Sequence, residues 1–297
     1  MTKLFYHYTD VNGLISILEN KEFWLSGIDF LNDDSEGKVV FDKIFNSVED
    51  QATQCKLGHL FNLCINQNRM FATSFSENGD QLSQWRGYCP ADGGYSIAFN
   101  FEKIEELEIC KPSSQTKLKV FKSGQDLLKN GSGQLVFDSC TYSHEKDFEE
   151  QVQVVSDFVK DAVQDISQEK FEKMKRFNYH FLSILDLIGD QEKSGKILDF
   201  IFRVSHIVAL YKNSSFYEEN EYRLLYVDKP RPSKPFIRGK KSYPLPYIKA
   251  KFDKNAVEEI IIGPTKFKNF AWKGVFDVLN TFNIKAKIKF SEIPFMA

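Results

Sequence analysis

Cysteine is sparse and falls in no pairing pattern. Cys55, Cys64, Cys89, Cys110 and Cys140 include no CxxC spacing, and five is an odd number. This argues against a disulfide framework or a zinc finger and points to free thiols in a reducing compartment. Long apolar runs are missing too. No stretch approaches the roughly 18 residues of a membrane helix, and the opening MTKLFYHYTD lacks the apolar segment of a signal peptide. The expectation is a cytoplasmic protein with no membrane partner. Charge of one sign is not in excess, since 39 Lys and Arg face 41 Asp and Glu for a net −2. The general basic surplus of many nucleic-acid binders is therefore absent. The densest basic run holds Arg231, Lys234, Arg238, Lys240 and Lys241. Interrupted by Pro and Gly, it reads as a solvated loop rather than a phosphate-binding patch. Walker, GxGxxG, GxSxG and HExxH motifs do not occur, so P-loop, Rossmann, α/β-hydrolase and zincin readings lose their main support. Internal repeats and low-complexity tracts are also lacking.

What remains is ordinary globular composition. The 297 residues are 42% hydrophobic and 27% charged, enough to bury a substantial core. The 28 Phe sit mostly in apolar periodic segments and read as core. Alternation predicts strands at Lys3–His7, Phe23–Ser26, Met70–Ser76, Tyr95–Asn100, Leu107–Cys110, Leu118–Phe121 and Leu135–Tyr142. Helices follow Thr9 or Asp10, and Asp33 or Ser35, which are capping residues. A polar loop with Gly79, Gly87, Pro90, Gly93 and Gly94 joins two of the strands.

From Lys146 to Leu210 there is no Pro, and apolar residues recur every three or four positions in stripes through Val152–Ile166, Phe177–Ile188 and Leu198–Val208. This predicts two or three helices forming an inserted lobe. Strands resume at Tyr222–Val227, Tyr247–Phe252, Glu259–Ile262 and Lys285–Phe290, with a weaker one at Lys234–Ile237 where Pro235 intrudes, and a helix at Phe267–Phe282. The pattern implies an α+β fold with a mixed, largely antiparallel split sheet built from both ends of the chain. Its parts are residues 1–145, a helical lobe over 146–212, and completing strands over 213–297.

Five short segments could carry chemistry. Tyr6-His7-Tyr8-Thr9 runs from a strand end into a helix cap, where His7 can meet a ligand hydroxyl. Asn32 to Glu36 holds three carboxylates that suit helix capping or a divalent cation. In Phe71–Ser76, Ser74 and Ser76 share a strand face opposite Thr73 and Phe75. Ser83–Tyr88 places Trp85, Arg86 and Tyr88 together, with rings that can stack and a guanidinium that can fork onto phosphate. In Glu218–Arg223, an early strand start would put Glu219, Glu221 and Arg223 on one face. The two carboxylates then repel unless Arg223 or a cation lies nearby.

Together these segments resemble a bacterial family of unknown function, domain of unknown function 2971. The resemblance rests on His7-Tyr8-Thr9, Leu31-Asn32-Asp33 with Glu36, Phe75-Ser76, Leu82–Tyr88, Glu219 with Glu221 and Arg223, Pro246-Tyr247 and Ile261–Pro264, spanning residues 7–264. More distantly, the order His-Tyr-Thr, Phe-x-Thr-Ser-x-Ser, Glu-x-Glu is similar to ADP-ribosyltransferases. That resemblance implies NAD as co-substrate, with its nicotinamide–ribose bond cleaved. His7 would orient the ribose. Ser74 or Ser76 would lie by the nicotinamide, Glu221 would be catalytic and Glu219 the upstream carboxylate. Tyr8 and Thr9 would belong to the same NAD site, Trp85 or Tyr88 would stack, and Arg86 would pair with pyrophosphate. The acceptor, a protein or nucleic acid or water, is not specified, and a role in bacterial phage defence or toxin action fits. Two other readings stay open. One is a metal-dependent nucleic-acid-directed enzyme using Asp33, Glu36 and Glu221. The other is a non-catalytic sensor or interaction module.

Overall fold

The computed structural model describes residues 2–30, 36–58, 70–122, 135–143, 204–228, 234–240 and 242–294, with a few positions between 146 and 172. The expected caps Asp33 and Ser35, the helical stripe 177–188 and most of the other two stripes lie outside these residues, as does the side chain of Glu36.

Strand β1 (Phe5–Thr9) leads into α1 (Val11–Asn20). Asp10 caps this helix by accepting from the Gly13 N–H at 2.7 Å. Lys21 ends it in the left-handed region at φ 53. Next come β2 (Glu22–Gly27), α2 (Glu36–Asn46), a helix over 51–58 (α3), β3 (Met70–Ser76), α4 (Leu82–Tyr88) and β4 (Tyr95–Phe99). Strands β5 (Glu106–Lys111), β6 (Ser114–Lys119), β7 (Leu135–Ser139) and β8 (Thr141–Tyr142) follow. After the middle of the chain come a helix over 204–210 (α5), β9 (Tyr211–Lys212), β10 (Glu221–Val227), β11 (Phe236–Lys240), β12 (Tyr243–Lys251), β13 (Val257–Ile262), α6 (Lys268–Thr281) and β14 (Lys287–Phe290).

Twelve strands form one sheet in the path β14-β13-β4-β1-β3-β2-β12-β5-β6, with β10 and β7 branching from β3 and β11 from β12. All its pairings are antiparallel except β13–β14. The fold is thus α+β, with strands from both ends of the chain interleaved. Its central feature is a fork. One edge of β3 runs along β10 for seven residues, Ser76 opposite Glu221 through Met70 opposite Val227. The other edge is shared. Ser76 pairs with Tyr6 of β1, while Ala72 and Phe71 pair with Ser26 and Gly27 of β2. Ser74 lies between, at the split.

One side of the sheet is sealed by aromatics. Phe5, Phe23, Phe75, Phe99, Phe101 and Phe137 are buried together, and the Phe101 and Phe137 rings stack at 3.5 Å between centroids. Burying a ring of this size is worth about 2–3 kcal/mol, so this cluster dominates the core. Not every Phe is core, however. On α6 only Val275 and Leu279 are buried, while Phe270 is 79% exposed and Trp272 and Phe276 also face outward.

Three expectations need correction. His7 is the middle residue of β1 rather than a strand-end residue. The expected loop before β4 contains α4, because Trp85 packs against Tyr8 and holds the turn inward. The basic run is not a solvated loop at Phe236–Lys240. Those residues, placed after Pro235, pair with β12 as strand β11.

Candidate functional site

Opposed residues of antiparallel strands project to the same side of a sheet. The β3–β10 register therefore places Ser74, Ser76, Glu221 and Arg223 on one face, away from the Phe cluster. Glu221 is the centre of that face and is 5% exposed. Its Oε1 accepts from Ser74 Oγ at 2.5 Å and Arg223 Nε at 2.8 Å. Its Oε2 accepts from Lys212 Nζ, with a longer contact from Arg223 Nη2 at 3.4 Å. A carboxylate offers about four lone-pair sites, and all are occupied. Burial alone would raise the carboxyl's pKa, but the charges of Arg223 and Lys212 outweigh it and hold it at about 2. Glu221 is therefore ionised at neutral pH. Its own N–H donates to the Tyr142 hydroxyl at 3.0 Å, and Arg223 is anchored by the Ala209 carbonyl at 2.7 Å.

Glu219 does not share the strand. It ends a 3-10 turn, Ser214–Glu219, and Asn220 takes the left-handed conformation at φ 41 before β10 begins. This bend brings both carboxylates to one ammonium, since Lys212 Nζ donates to Glu219 Oε2 at 2.5 Å as well as to Glu221. Burial disfavours the Lys212 charge, yet the two carboxylates outweigh it and raise its pKa. The quartet Lys212, Arg223, Glu219 and Glu221 balances to zero. Tyr88, on the exposed end of α4, reaches Glu219 Oε2 at 3.4 Å. Its phenol pKa is raised by burial and by the same two carboxylates, so it stays protonated.

At the fork, His7 Nδ1 lies 2.9 Å from the Ser74 carbonyl. A carbonyl only accepts, so Nδ1 must carry the proton, and Nε2 of the neutral ring is an acceptor. The ring packs beside Phe75 at 5.6 Å and keeps partial contact with solvent. Burial lowers its pKa, so it is neutral at pH 7. Ser74 thus joins His7 through its backbone to Glu221 through its hydroxyl. Of the two candidate serines it is the partly exposed one. Ser76 is 2% exposed and spends its hydroxyl on the Glu219 carbonyl at 2.8 Å.

The remaining candidates have mainly local partners. The Tyr8 hydroxyl donates to the Asn78 carbonyl at 2.7 Å and accepts from the Gln81 N–H at 3.0 Å. The Thr9 carbonyl accepts weakly from the Cys89 thiol. Trp85 is buried, with Nε1 donating to Asp80 at 2.8 Å and its ring edge-on to Tyr8, so it offers no open face for stacking. A Cβ on Gly263 would come within 2.9 Å of that indole, which explains the glycine there. Arg86 is exposed on α4. Among the described residues no group of three or more His, Cys, Asp or Glu could hold a metal ion.

Sequence reasoning missed Lys212, Tyr142 and Arg238. Lys212 falls at the end of what read as a helical lobe, and its spacing to Glu221 matches no motif. Tyr142 was only the end of a strand. Arg238 was discounted with its basic neighbours.

A forked sheet with a buried, ionised Glu221 on its branch strand, bridged by Lys212 to Glu219 in the turn before it, defines an α+β protein with a polar site on one face. The family model described as a protein of unknown function, DUF2971, matches residues 84–224, so this stretch of the chain is similar to that family. The match takes in most of α4, with Lys212, Glu219, Glu221 and Arg223, but not His7 or Ser74. No curated protein and no solved structure matches the chain.

Proposed function

We propose that this chain is an ADP-ribosyltransferase-like enzyme that takes NAD as substrate and breaks its nicotinamide–ribose bond. The observation that carries the reading is the Ser74–Glu221 hydrogen bond at 2.5 Å with His7 on the Ser74 carbonyl. Cleavage sends the bonding pair to nicotinamide, which leaves neutral, and positive charge develops on the ribose. An ionised Glu221 on a preorganised strand stabilises that charge. Its lone pairs are full, so a ribose hydroxyl must replace a donor. Ser74, the only neutral one, is the donor to be replaced. His7, on the Phe75 side of β1, orients the site through the Ser74 carbonyl, and Glu219 positions the acceptor or takes its proton. The acceptor is a protein or nucleic-acid group, or water.

A metal-dependent reading built on Glu221 is less favoured, because Lys212 and Arg223 already occupy both its oxygens. A cytoplasmic setting belongs to the same proposal. The described cysteines are free thiols, and no described helix is long and apolar enough to cross a membrane.

The test is nicotinamide release from NAD by the purified chain. Glu221→Gln should lower the rate by about 100-fold or more, as loss of a preorganised charge does, while a thermal melt verifies folding. No release by the parent chain, or undiminished release by a folded Glu221→Gln variant, ends the proposal. A sensor would keep its binding in that variant.

A further inference from the structure

Arg238, on β11, is half-buried beside the rings of Trp24 and Tyr247, its guanidinium carbon 5.0 Å and 5.5 Å from their centroids, while the two rings pack on each other at 4.7 Å. Among the described residues its hydrogen bond runs from Nη2 to Ser26 Oγ at 3.0 Å, and its buried Nε–H meets no acceptor. No described carboxylate pairs with it. The nearby acid, Glu22, is already engaged by Trp24 Nε1 at 2.9 Å and Lys249 Nζ at 2.8 Å. A buried donor left unpaired is costly and rare enough to need a cause. The two packed rings restrict where the guanidinium can lie, and its Nε–Nη2 edge carries the paired N–H groups with which Arg reads an oxyanion.

Position ties this arginine to the fork. Ser26 is opposed to Ala72, two residues from Ser74 on the same strand, so Ser26, Ser74 and Glu221 share one face of the sheet. The Arg238 charge also acts on His7, where it adds to burial in keeping the imidazole neutral.

We infer that Arg238 is an anion anchor that receives a phosphate oxyanion, with Nε and Nη2 donating along one edge and the Ser26 hydroxyl turned to donate as well. Naming that phosphate as part of a nucleotide rests on the NAD reading above; the oxyanion site itself does not. The phosphate can be free or part of a nucleotide, and the recognition chemistry is the same. Arg86 is then not needed for this contact, since it sits exposed on a different element.

Calorimetric titration of the full chain with inorganic pyrophosphate, inorganic phosphate, ADP-ribose and acetate tests the site. Pyrophosphate and ADP-ribose should bind, and Arg238→Gln should weaken both by tenfold or more. Arg238→Lys, which keeps the charge but loses the fork, should weaken them several-fold. Trp24 emission should change on binding, and Trp24→Phe should remove that signal. ADP-ribose much tighter than pyrophosphate supports a nucleotide source, and equal affinities support a free phosphate source. No pyrophosphate binding, acetate binding as tightly as pyrophosphate, or folded Arg238 variants with unchanged affinity would overturn the site. Arg238-dependent pyrophosphate binding without any nicotinamide release keeps the anion site and removes the NAD reading.

Discussion

Glu221 shows how a single side chain can carry both charge balance and acid sensitivity. Its carboxyl titrates at about 2 in the fold against a reference of 4.5, a difference worth on the order of 3 kcal/mol at neutral pH. The sign follows from which state holds the proton. The unfolded chain protonates first, so this stability is full above pH 4.5 and is lost as pH falls toward 2. Melts of the parent chain should therefore decline through that window. Glu221→Gln should start lower, because it strands Lys212 and Arg223, and should decline less over the same range. His7 acts in the same direction at higher pH, since its lowered pKa costs stability as acidity increases below 6.5. A different residue-scale limit applies at Gly263. Alanine there must push the Trp85 ring or the Gly94 carbonyl, the latter 3.0 Å from the added carbon. Gly263→Ala should cost about 1–3 kcal/mol in a denaturant titration.

At the scale of elements, the turn before β10 decides how the two acids meet. Asn is one of the few non-glycine residues that enters the left-handed region cheaply. Asn220→Gly should be close to neutral, whereas Asn220→Val should lose roughly 1–2 kcal/mol in a thermal or denaturant melt. It should also loosen Glu219 from Lys212. This turn marks the limit of what the sequence makes legible. Alternation in Phe71–Ser76 and Tyr222–Val227 located both strands and put Ser74 with Ser76 on one face, but the register that sets Glu221 on that same face was not legible. The pairing of Glu219 with Glu221 was legible as a conflict needing a cation. That cation is Lys212, and nothing local pointed to it, because its partners are set by the return of the chain from its middle third. In β11 the signal was misleading. Pro and Gly flanking Arg238 resemble a loop, but edge strands tolerate Pro where no ladder bond is required. The same signal in α4 failed for another reason, since Gly87 is tolerated there by a helix only seven residues long that is held by Trp85.

For the whole molecule, the interleaving of both chain ends and a split sheet were readable from the order of strands and helices, and the place of the split was not. Its cause is register. Tyr6 meets Ser76 and Ser26 meets Ala72, which leaves three residues of β3, Thr73 to Phe75, between two departing wings. The core beneath is a single Phe-rich cluster, so the wings are fastened on that side. His7→Phe keeps the ring's packing against Phe75 and leaves the Ser74 carbonyl without its donor. It should lower stability by about 1–3 kcal/mol, measured by denaturant titration, even though the ring remains apolar and full-sized.

The fork also has a mechanical meaning. The wing that begins at β1 and the wing that begins at β2 share no strand but β3, and the His7 imidazole ties the β1 wing to β3 at the Ser74 carbonyl. A molecule lodged between Ser74 and Arg238 would act as a splint joining the two, so amides on both should slow their hydrogen exchange together, although neither wing lies next to the other in the sheet.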